Sequence, residues 1–112
     1  MRHWAEAVAK RYLEAHGYRI VAENYTVRGA EIDIIAELGE LTVIAEVRQR
    51  RSSLYGTPAE SITPQKLARL ERATLHYLAE RRGRDDLPLR FDARHLSGDA
   101  EDYRLEHLEG IF

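Results

Sequence analysis

Two apolar-alternating runs, Glu31–Leu38 and Leu41–Arg48, flank the dipeptide Gly39-Glu40. Successive strand residues point to opposite faces, and a glycine between two such runs supplies the tight turn, so this segment reads as a β-hairpin. An isolated hairpin is marginal in water, and the remaining chain must supply further strands and a helical cover. On one face Ile32, Ile34 and Ala36 meet Leu41, Val43, Ala45 and Val47, a set suited to a core. The other face carries Glu31, Asp33 and Ile35 on the first strand, and Thr42, Ile44, Glu46 and Arg48 on the second.

The flanking segments supply those elements. Over residues 2–16, Trp4, Val8, Ala9, Tyr12 and Leu13 recur at helical spacing, and Gly17 follows as a stop. From Tyr18 to Val27 the pattern is strand-like, with Ile20, Val21, Tyr25 and Val27. Gln49 to Gly56 is polar and reads as an exposed loop. Thr57-Pro-Ala-Glu60 has the form of a capping box, and Thr63-Pro64 repeats the start signal before a long helix to about Arg82. Leu67, Leu70, Ala73, Leu75, Tyr77 and Leu78 are its apolar positions, and Gly83 ends it. Leu89–Leu96 and Tyr103–Leu108 then form two strands around Gly98-Asp99. The order α-β-β-β-α-β-β predicts one α/β domain over residues 1–112, with a mixed sheet because the long helix can serve as a crossover.

Composition narrows the function classes. The chain has no cysteine, which removes disulfides, thiolate metal sites and thiol nucleophiles together. No secretory apolar segment opens the chain, and no apolar run reaches the roughly 18 residues of a membrane span. A cytoplasmic protein without membrane contact is expected. The formal net charge of -2 gives no bulk reason for nucleic-acid binding. The positive charge is nevertheless clustered, at Arg48, Arg50 and Arg51 and again at Arg81, Arg82 and Arg84. Of 17 basic residues only Lys10 and Lys66 are lysines. Arginine suits bidentate phosphate contact, although genome composition or thermal adaptation produces the same bias.

Pairing across the turn places Asp33 near Glu46, since each lies a similar distance from Gly39. Like charges opposite one another destabilise a sheet, so Arg48, protonation or a divalent cation must offset them. Mg²⁺ takes one or two carboxylates and retains waters, which suits this pair, and Glu6 of the first helix could add a third oxygen. The simpler alternative is a solvated sheet face on which the acids pair with Arg28, Arg48 and Arg50.

Ala30-Glu-Ile-Asp-Ile-Ile35, followed by Ile44-Ala-Glu-Val-Arg-Gln-Arg50, resembles the paired motifs of the PD-(D/E)XK nuclease superfamily. The whole chain is similar to the YraN-type family of small bacterial proteins, related to archaeal Holliday junction resolvases. Ala5-Glu6, Gly17-Tyr18, Glu23-Asn24-Tyr25, Tyr55-Gly56, Lys66, Arg90-Phe91-Asp92 and Ile111-Phe112 extend the likeness almost end to end. The resemblance implies a restriction-endonuclease-like fold and Mg²⁺- or Mn²⁺-dependent hydrolysis of a phosphodiester. It gives Asp33 and Glu46 the metal and makes Glu6 a further acidic ligand or site residue; Glu31 matches the acidic pattern. Such a cation polarises the phosphoryl group and acidifies its bound water. The implied partner is DNA, possibly branched, and two-fold junction symmetry implies a homodimer.

Two positions depart from the pattern. Ala30 stands where the family has glycine. Arg48 stands where the motif has lysine, and arginine keeps its proton and cannot act as a general base. Either the metal alone generates the nucleophile with Arg48 as an electrostatic clamp, or Lys66 reaches the site and assumes the lysine's role. Arg50, Arg51 and Tyr55 are candidate nucleic-acid contacts, Tyr55 by stacking on a base. The five histidines lack metal-ligand spacing, although His95 and His107 could approach on the last two strands. Ser52 and Ser53 have no histidine and acid arranged beside them for a serine hydrolase. Three functions follow: a structure-selective DNA endonuclease, a nucleic-acid-binding module impaired in catalysis by Arg48, and a protein-interaction scaffold.

Overall fold

A computed structural model describes residues 3–27, 29–50, 63–83, 88–98 and 101–110. Helix α1 (His3–Ala15) is followed by β1 (Arg19–Val27), β2 (Ala30–Leu38), β3 (Leu41–Arg50), α2 (Pro64–Tyr77), β4 (Leu89–Gly98) and β5 (Tyr103–Leu108). The predicted element order is therefore met. In α1, Ala5, Val8, Ala9 and Leu13 are the buried positions. Its last carbonyls are closed by Gly17 N–H to Glu14 at 3.1 Å and Tyr18 N–H to Leu13 at 3.0 Å, with Gly17 at φ 89°.

Helix α2 begins as its sequence predicts. Thr63 is the N-cap, its hydroxyl accepting from Lys66 N–H at 3.1 Å, and Pro64 occupies the first turn. The earlier capping box, Thr57 to Glu60, lies outside the described residues. The final stretch expected as α-helix, Leu78–Arg82, is instead a π-helical turn before Gly83 in the left-handed conformation.

The five strands lie in the order β1-β2-β3-β4-β5. β3 and β4 are parallel and the other neighbours antiparallel, with α2 crossing between the parallel pair. Helix α1 packs on one face, over Ile34, Ala36, Val43, Ala45, Val47 and Leu96. Helix α2 covers the other, where Ile32, Ile35 and Ile44 meet Leu70, Ala73, Tyr77 and Leu78. Both faces of the central strands are thus buried, which explains consecutive apolar residues such as Ile34-Ile35-Ala36.

One expectation is corrected. Ile32 lies with Ile35 on the α2 side, not with Ile34 on the α1 side. The alternation changes at Asp33, where β1 and β2 pair at Glu23↔Ile34 and Tyr25↔Ile32 on either side, while the register itself shifts between Ile20 and Ala22. Asn24, between the two pairs, has φ 50°. Asparagine enters this left-handed region at low cost, whereas a β-branched side chain does not. Asn24→Val is therefore expected to lower stability by about 1–2 kcal/mol and Asn24→Gly to be nearly neutral, measured by urea denaturation.

Gly98, at the end of β4, has φ 101°, and a Cβ there would sit 2.2 Å from the Asp102 carbonyl oxygen. The obstacle is backbone and cannot swing away. Gly98→Ala should cost on the order of 3 kcal/mol, read from the same urea midpoints.

Candidate functional site

The break at Asp33 sets up the site. Asp33 Oδ2 accepts the Val47 N–H of β3 at 2.9 Å. Its side chain therefore reaches across to β3 beside Glu46. Asp33 is 2% and Glu46 3% exposed, so the alternative of a solvated acidic face does not hold. Glu46 and Arg48 lie on the α2 side with Ile44, as strand alternation requires.

Two cations meet Glu46 there. Lys66 Nζ is 3.5 Å from Glu46 Oε2, and an Arg48 guanidinium nitrogen is 4.0 Å from the same oxygen. The Thr63 cap fixes the Lys66 backbone in the first turn of α2, over β3. The lysine separated from the acids by most of a loop and a cap in sequence thus reaches the carboxylate more closely than Arg48. A cleft of about 380 Å³ opens beside it, lined by Glu31, Lys66, Arg69 and the Gly29-Ala30 turn. Glu31 is exposed at this mouth. Sequence reasoning misses Arg69; its position three residues after Lys66 on a helix is the available signal.

Glu6 lies in the first turn of α1, the helix over the opposite face. Among the described residues no three His, Asp or Glu side chains form a group able to hold a metal ion. Asp33 and Glu46 still offer hard oxygen donors from adjacent strands. Such a pair suits Mg²⁺ or Mn²⁺ with water completing the shell, and does not suit a softer, all-protein site. Arg50 ends β3, while Arg51 and Tyr55 lie outside the described residues, as do Arg28, Ser52 and Ser53.

A second polar cluster occupies the α1 face and the far edge. Asp92 is fully buried and accepts from Arg90 Nε and a second Arg90 nitrogen, each at 2.8 Å. His107 Nε2 at 2.8 Å and Gly110 N–H at 3.1 Å complete its shell, and Arg90 also donates to Tyr18 Oη at 2.6 Å. The hydrogen bonds to Asp92 hold the Arg90 guanidinium even more firmly protonated than usual. Register sets His107 against Arg94 and His95 against Glu106, so the two histidines do not pair. The cluster ties the chain end to β4, and explains Arg90-Phe91-Asp92 as a structural motif.

A mixed five-stranded sheet between two helices, with an Asp on one central strand and a Glu on the next, is a restriction-endonuclease-like arrangement. The chain belongs to the family described as "Uncharacterised protein family UPF0102", which matches residues 5–95. This is the YraN-type family its motifs resemble. It is similar to a UPF0102 protein of Deinococcus radiodurans, 46% identical over 109 residues that cover 95% of this chain and 89% of that one. A UPF0102 protein of Thermus thermophilus is 42% identical over 105 residues, covering 94% and 90%. One of Leifsonia xyli is 44% identical over 109 residues, covering 95% and 90%. Among the described residues no helix is long and apolar enough to cross a membrane.

Proposed function

We propose that this chain is a divalent-metal-dependent DNA endonuclease selective for branched structures, acting as a homodimer on two-fold symmetric junctions. The observation that carries the reading is the buried Asp33–Glu46 pair with Lys66 Nζ 3.5 Å from Glu46. Asp33 and Glu46 would hold Mg²⁺ or Mn²⁺, and the cation would supply Lewis acidity toward a phosphoryl oxygen. Lys66 is suited to hold and release a proton beside Glu46, because an ammonium can change its protonation state. Arg48 keeps its charge and can only offset the negative charge that builds on the phosphate.

A second reading, a nucleic-acid-binding module without cleavage, is favoured by Arg48 at the expected lysine's position. Single-stranded, duplex and four-way DNA incubated with Mg²⁺ or Mn²⁺ separates the two. Cleavage confined to the branched substrate supports the endonuclease. Salt-sensitive binding with every substrate left intact supports the module. Absence of binding removes both in favour of a protein-interaction role. If the natural protein is inert and Arg48→Lys cleaves, the missing lysine is the cause.

A further inference from the structure

Exposed positive charge along α2 is unevenly neutralised. Lys10, Arg19, Arg48, Lys66, Arg81 and Arg90 each lie within 4.0 Å of a carboxylate. Among the described residues the exposed Arg11, Arg69, Arg72 and Arg104 have no such partner, and of these Arg69 and Arg72 lie on α2. Residues three apart are neighbours on a helix, so Lys66, Arg69 and Arg72 form one ridge that turns by about 60° around the axis at each step. That row begins at Glu46 and runs through the cleft lined by Glu31, Lys66 and Arg69. Farther along the same flank, His76 Nδ1 meets Tyr25 Oη of β1 at 3.0 Å and lies 3.8 Å from Glu80, which also pairs with Arg81. The uncompensated stretch therefore has a defined start at the carboxylate pair and a defined end at Glu80. Glu71 lies about 160° around the helix from Arg69, the middle of the ridge, and about 100° from Arg72.

Helical rise separates Lys66 from Arg72 by about 9 Å. Each nucleotide of a DNA strand carries one phosphate, and a row of this length meets about two neighbouring phosphates, one for each arginine. We propose that Arg69 and Arg72 bind the backbone of a duplex arm leaving the Asp33–Glu46 site along the β1-facing flank of α2. This rests on the DNA reading above and adds the path of the strand. The two arginines are positioning residues: neither approaches Asp33 or Glu46 as Lys66 does.

The test uses a labelled duplex and a four-way junction of the same sequence, with chelator present so that only binding is read. Fluorescence anisotropy is measured from low to moderate salt. The double variant Arg69→Gln/Arg72→Gln should reduce the slope of log K against log salt by about 1.8, or 0.9 for each phosphate that is no longer neutralised. It should also weaken binding roughly tenfold near physiological salt. Arg11→Gln/Arg104→Gln removes the same charge from exposed positions on α1 and β5 and should leave the slope within error. If the natural protein binds and the α2 variant matches it, or the control is weakened as much, the path along α2 is wrong while the DNA reading stands. If the natural protein binds neither DNA, both fall.

Discussion

Asp33→Asn is expected to leave the protein folded and to lower cleavage of branched DNA by at least about 10³-fold, some 4 kcal/mol of transition-state stabilisation. The choice of asparagine matters. Asp33 Oδ2 is the acceptor for Val47 N–H at 2.9 Å, and an amide oxygen can take that hydrogen bond. Asp33→Ala would instead leave the buried N–H without it, at a cost of about 1–3 kcal/mol, and would confuse lost chemistry with lost fold. Glu46→Gln is the matching change on β3 and should be equally inactive. Lys66→Arg completes the set: it keeps a positive charge near Glu46 but not a group that titrates. Cleavage abolished in Lys66→Arg, with DNA binding retained in chelator, assigns the proton to Lys66. Wild-type cleavage in Asp33→Asn and Glu46→Gln, measured on protein with unchanged melting, would remove the metal-dependent mechanism.

A second large expected effect is a gain in stability. Arg94 is fully buried, and its three guanidinium nitrogens have no hydrogen-bond partner among the described residues. Its charge is favoured by the nearby Asp92 carboxylate and by a cation–π contact, with Cζ 4.6 Å from the centre of the Tyr12 ring. A desolvated cation–π contact contributes about 2 kcal/mol, whereas withdrawing an ion from water costs several. Arg94→Met keeps much of the apolar stem and deletes the charge. It should stabilise the fold by about 1–4 kcal/mol and raise the Tm by several degrees. A lower Tm would mean that the Tyr12 contact outweighs desolvation.

The same pair of proteins has a distinctive pH signature. Burial lowers the Arg94 pKa to about 10, well below the ordinary guanidinium value. Between these values the unfolded chain holds more of this proton than the folded one, so folding gains stability as pH rises. The advantage of Arg94→Met should therefore be constant below pH 10 and shrink above it. Parallel urea midpoints for the two proteins across that window check the sign.

Periodicity makes most of the fold legible. Val8, Ala9 and Leu13 mark α1, Thr63-Pro64 the start of α2, and Gly39 the turn that joins β2 to β3. What it does not resolve is local and geometric. Alternation predicts that Ile32 and Ile34 share a face, and only the left-handed backbone at Asn24 and the break at Asp33 separate them. In sequence Asn24 is part of a motif without a visible reason. Of the candidate site, Asp33 and Glu46 are legible because the hairpin turn brings them together. Lys66 is a candidate from sequence, but its reach depends on the crossover and on the Thr63 cap, which no spacing rule measures. Arg94 is invisible, since β4 alternation says which residues share a face and not that an arginine will be sealed beneath Tyr12.

Strand order in the sheet is the same as strand order in the chain. No strand has to be threaded between two that are already joined, so each new one can add to the edge left by its predecessor as synthesis proceeds. Asp33, Glu46 and Lys66 all precede the last two strands. The candidate site can thus be assembled early, while β4 and β5 and the Asp92 fastening close the free edge of β3 behind it.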